Sequence, residues 1–119
     1  MAHGGFLRQH SDDPQLASHI MHDYTKADLD LETRAMLDFA TKLTREPTNM
    51  SEADVSGLRA LGLSDEQILS VVLITCTFNF MTRLADGLGV QVPEGRQEAH
   101  ERWLTGPALQ QDWLMIDKS

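Results

Sequence analysis

Apolar residues recur at helical spacing along most of the chain, and no stretch alternates apolar and polar residues for long enough to suggest a strand. Leu16, Ile20 and Tyr24 fall at i, i+4 and i+8 behind Asp13-Pro14, an N-cap with proline at the first helical position. A short amphipathic helix to about Tyr24 is expected. A second begins near Asp30, with Met36, Phe39, Ala40 and Leu43 on one face and Arg34, Asp38, Lys42 and Arg45 on the other, and Pro47 stops it. Ser51 with Asp54 is a capping box for a third helix that turns Val55, Leu58 and Leu61 inward, and Gly62 suits its C′ position.

Ser64 with Gln67 is a second capping box just after that glycine. It opens the longest segment, Asp65 to Gly87, whose first half is apolar nearly all round and predicts a helix buried on most sides. Val90 to Pro93 reads as extended. A final helix from about Glu94 carries Ala99, Trp103 and Leu104, Gly106-Pro107 breaks it, and Leu109 and Trp113 sit in a last turn. The expectation is one all-α domain over residues 1–119, with about five to six helices and no sheet.

Composition narrows the function classes. A net charge of −8, with no offsetting cluster of Lys and Arg, excludes nucleic acid and anionic membrane surfaces as partners. The apolar run from Ile68 to Met81 is interrupted by hydroxyl and amide side chains and is shorter than the ~20 residues of a bilayer span. A cytoplasmic protein is expected. The single cysteine, Cys76, allows no disulfide within the chain and no two-cysteine redox cycle. Its apolar neighbours in "ITCTFNF" suggest an inert core thiol.

Three polar groupings stand out. His19 and His22 lie at i, i+3 beside Asp23, a spacing that can present two imidazoles to one metal. No second ligand pair completes a site, so a solvated pair is expected, with no metal and no cofactor. His100, among Glu98, Glu101 and Arg102, is expected to face solvent. Asn79, Arg83 and Asp86 step along one side of the long helix, an expected structural polar network in which Asp86, or an acid from another helix, would pair Arg83.

The stretch "LSDEQILSVVLITCTFNFMTRLADGLGV" resembles the alkylhydroperoxidase-like (AhpD-like), carboxymuconolactone decarboxylase superfamily, in its peroxidase-related branch. "ADLDLETRAMLDFATKLTREPTNMSEADVSGLRALGLS" is similar to the same family upstream, and "HGGFLRQHSDDPQLASHIMHDY" resembles the segment just after the family's redox motif. The resemblance implies an all-helical AhpD-like fold, homo-oligomers and thiol-dependent reduction of hydroperoxides. In active members a thiolate attacks the peroxide O–O bond, and a second thiol of a Cys-x-x-Cys pair resolves the sulfenic acid to a disulfide, which a thiol reductant then reduces.

By the same resemblance His3 corresponds to the motif histidine, and the cysteine pair and an acidic residue would lie before Met1. The expectation is an N-terminally truncated member, with His3 a vestige and thiol peroxidase turnover absent from this chain. One alternative is a non-catalytic, self-associating helical scaffold. A lower-ranked one is a decarboxylase with His3 as a base.

Overall fold

In the computed structural model the helices that begin after Asp30, Ser51 and Ser64 start at side chains that cap their first turns. The structure describes residue 7, residues 10–13 and 15–91, and residue 94, the side chain of His22 excepted. Four α-helices are named here: α1 Leu16–Asp23, α2 Leu31–Arg45, α3 Glu52–Ala60 and α4 Asp65–Gly87. Short 3-10 turns, Tyr24–Lys26 and Pro47–Asn49, follow α1 and α2. No strand occurs among the described residues, so the fold is all-α. The helix expected from about Glu94, with Ala99, Trp103, Leu104, Leu109 and Trp113, lies outside them beyond residue 94 itself, and the described residues hold four of the five to six helices expected of the whole chain.

The chain falls into two units, Leu29–Val90 and a second made of Met1–Asp28 with Gln91–Ser119. In the second unit the Asp13 carboxylate accepts the amide of Gln15 at 2.8 Å, and α1 begins one residue later. Asp23 closes α1 and caps the 3-10 turn by accepting from the Thr25 amide. Ala17 is fully buried.

In the unit Leu29–Val90, Asp30 accepts the Thr33 amide at 2.7 Å and starts α2. Asp54 reaches back to the Ser51 amide at 2.8 Å to start α3. Ser64 and Gln67 exchange bonds of 2.8 and 3.2 Å at the head of α4. Both later helices end in a Schellman turn on a left-handed glycine. Gly62 (φ +100°) lets Leu63 donate to the Leu58 carbonyl, and Gly89 (φ +63°) lets Val90 donate to that of Ala85.

The first of these turns builds the core. It folds Leu63 under α3, where Leu63 joins Phe39, Leu58 and Ile68 in one buried cluster. Met36, Leu43, Val55, Val71 and Val72 pack around it. Leu61 was expected to face inward and is instead 44% exposed. It is the C-cap of α3, where the chain is already leaving the helix, and Leu63 takes the inward place.

The larger correction concerns α4. Only its Ile68 is buried, and Val71, Val72, Thr75 and Asn79 are half-buried on the same side. The rest of the helix, apolar or not, is largely exposed, so it is not buried on most sides. α2 and α3 are 15 and 9 residues long and can cover only one face of a 23-residue helix. α4 is also long and apolar enough to cross a membrane by length and composition.

Candidate functional site

Two places in the unit Leu29–Val90 bring polar chemistry together. The first is an open groove of about 350 Å³ between α2 and α3. Phe39 and Leu58 line it from the core, and Ala35, Ala53 and Gly57 keep it open by being small. Lys42 and Asp54 close its rim with an ion pair of 2.7 Å.

The Lys42 ammonium, and after it the Ser51 amide, hold the Asp54 carboxyl below its ordinary value of 3.8. A carboxylate so stabilised is a poor general base, so Asp54 is suited to holding Lys42 across the groove rather than to abstracting a proton. The sign of the linkage follows. A carboxyl depressed in the folded state stabilises the fold above its unfolded value, and the benefit goes as pH falls through the folded one. Asp54→Asn is therefore expected to lower the urea midpoint modestly at pH 7. The deficit should shrink steadily as pH falls below 3.8, and a deficit that stays constant down to pH ~2 would refute this account.

The second place is the α2–α4 contact. Asn79 Nδ2 donates to Thr44 Oγ1 at 3.0 Å, and that hydroxyl donates on to the Ala40 carbonyl at 2.7 Å. A half-buried amide is thus satisfied across two helices, and the bond couples the register of α4 to α2. Arg83 Nη1 donates to the main-chain carbonyl of Asn79 at 3.3 Å and is itself exposed. The Asp86 carboxylate takes no part in an ion pair among the described residues, while its carbonyl accepts the amides that close the helix. Asn79 and Arg83 therefore meet through a backbone carbonyl. Thr44 is the partner that the sequence reading missed; its only trace there is its place four residues after Ala40 on the inner side of α2.

Cys76 is exposed, not a core thiol. It stands exposed midway along α4, about three turns from the helix N-terminus. It is therefore clear of the N-terminal dipole that activates catalytic thiols. His3, His100 and the side chain of His22 lie outside the described residues, so the His19–His22 pair is not described. Among the described residues no three His, Cys, Asp or Glu side chains group as a metal site would need.

No family model matches the chain, and no curated protein does. Solved structures do, two of them as follows. An uncharacterized peroxidase-related protein from Silicibacter sp. TM1040 is 39% identical, with a TM-score of 0.71, over 78% of this chain and 49% of that one. An alkylhydroperoxidase AhpD core protein from Ralstonia eutropha JMP134, also uncharacterized and peroxidase-related, is 34% identical, with a TM-score of 0.68, over 87% of this chain and 52% of that one. Identity at this level over most of the chain, on a shared helical framework, extends the likeness beyond fold alone. The chain spans about half the length of these two proteins, and over most of its own length it is similar to AhpD-like, peroxidase-related proteins.

Proposed function

We propose that the chain serves thiol-dependent, antioxidant reduction of hydroperoxides in the cytoplasm as a peroxidase-related domain, and that by itself it does not turn peroxide over. The observation that carries the first half is its 39% identity to a peroxidase-related protein. The second half rests on its cysteine content. Reduction of ROOH to ROH by the two-cysteine route consumes two thiols, one whose thiolate attacks the peroxide oxygen and releases ROH, and one that closes the disulfide with loss of water. Cys76 is the one thiol in the sequence.

The test is consumption of tert-butyl hydroperoxide in the presence of dithiothreitol. The rate with the chain is expected to equal the rate of dithiothreitol alone, and Cys76→Ser is expected to leave it unchanged. Catalytic consumption that survives Cys76→Ser would overturn the inactive reading and place chemistry at another residue. A self-associating, non-catalytic scaffold is the second reading, favoured by the apolar surface that α4 leaves uncovered.

A further inference from the structure

The groove between α2 and α3 has a polar end and an apolar end. Lys42, near the end of α2, meets Asp54, near the start of α3, so the earlier Ala35 of α2 and the later Leu61 of α3 stand at the opposite end. Leu61, which the helical period alone would bury, is 44% exposed in the groove wall. Gly57 leaves the middle open, with nothing within 4 Å of where its Cβ would stand.

The polar end holds unused hydrogen-bond donors. The Asp54 carboxylate is engaged on both oxygens, Oδ1 by Lys42 at 2.7 Å and Oδ2 by the Ser51 amide and hydroxyl at 2.8 and 3.2 Å. The Lys42 ammonium has three donors and gives one to Asp54. Among the described residues nothing takes the other two. Asp38, one turn earlier on α2, is exposed and accepts from Arg34 at 3.2 Å on Oδ1. A carboxylate has lone pairs for further bonds.

These charges select the occupant. An anion would meet Asp38 and Asp54 together, and a cation would meet Lys42, with Arg34 one turn beyond Asp38. A zwitterion satisfies both signs and is not repelled by a chain of net charge −8. We propose that the groove binds a free α-amino acid with an apolar side chain. Its carboxylate takes the two remaining donors of Lys42, its ammonium sits on Asp38, and its side chain lies over Phe39 and Leu58 toward Leu61. Asp38 and Lys42 are about 6 Å apart along the helix axis, which the adjoining head groups of an amino acid bridge.

Size agrees. A volume of about 350 Å³ lies at the low end for small-molecule sites. The stretch of α2 from Ala35 to Lys42 is about 10 Å long, too short for the acyl chain of a zwitterionic lipid, about 15 Å. The inference goes beyond the proposed function and does not depend on it, since the groove carries no step of peroxide reduction.

The test is titration of the ¹⁵N-labelled full chain with L-phenylalanine, followed by amide NMR shifts. Saturable shifts are expected at Ala35, Lys42 and Gly57, with a Kd on the order of 1 mM, as suits a small ligand in an open groove. 3-Phenylpropionate lacks the ammonium and 2-phenylethylamine lacks the carboxylate, and each is expected to bind at least ~10-fold more weakly. Asp38→Asn is expected to weaken L-phenylalanine by the same factor. Gly57→Leu fills the groove and is expected to abolish the saturable shifts. It should keep its helix content by circular dichroism, because the position is helical and open and leucine is a better helix former than glycine. No saturable shift up to ~20 mM L-phenylalanine, or shifts that persist in Gly57→Leu, overturns the site. Equal binding of 3-phenylpropionate or 2-phenylethylamine overturns the zwitterion as occupant. So do shifts with short-chain phosphatidylcholine and none with L-phenylalanine, which would assign the groove to lipid.

Discussion

Phe39→Ala is expected to lower the unfolding free energy by about 3–5 kcal/mol, the largest loss of any single substitution in the unit Leu29–Val90. The buried cluster there has four members, and Phe39 is its one aromatic side chain. It stands where α2 meets the other two helices, so truncation removes contacts to each and leaves a cavity that the two short connections do not let the helices close. Natural domains hold about 5–15 kcal/mol in all, so the variant is expected to be largely unfolded at 37 °C. Phe39→Leu keeps most of the volume and is expected to cost about 1–1.5 kcal/mol. Urea unfolding followed by circular dichroism measures both. A loss below ~1 kcal/mol for Phe39→Ala would show that the cluster is not what holds the helices together.

Gly62→Val is expected to cost about 2–3 kcal/mol by a different route. Nothing lies within 4 Å of where its Cβ would stand, so the penalty is not a clash with a neighbour. It comes from φ +100°, which a β-branched residue adopts only under strain. Relaxing that angle would undo the turn that lets Leu63 bond Leu58, and Leu63 is itself a core residue. Gly57 gives the control. It also has open space around its Cβ position but sits in helical backbone within α3, where Gly57→Ala is expected to stabilise by about 0.5–1 kcal/mol. Opposite signs at the two glycines would isolate backbone angle as the cause. Equal and small effects would refute it.

Much of the local structure was legible because its causes are local. The Ser51–Asp54 and Ser64–Gln67 boxes act over three residues, and both are present in the structure. Asp30 at the head of α2, and the glycine that ends α3, are likewise set by groups a few residues away. The core positions Phe39 and Leu58 follow from a period of 3.6 on helices with one clear polar side. The misreadings share a different origin. Leu61 and Leu63 are both apolar and straddle a turn, and only the path of the turn decides which points inward. Cys76 and the apolar side chains around it look like core in the sequence, since hydropathy records preference for burial and not the presence of something to bury against.

The sequence by itself determined the all-α class, the starts and stops of α2, α3 and α4, and the likeness to the AhpD-like, peroxidase-related family, because caps, periodicity and residue identity are properties of short stretches. Only the tertiary structure decided which face of α4 is covered, that Asn79 finds Thr44 at 3.0 Å and that Lys42 pairs with Asp54 across two helices. Those outcomes depend on where α2 and α3 come to rest against α4. That placement is the joint result of turn geometry and of a core made by residues from four separate segments.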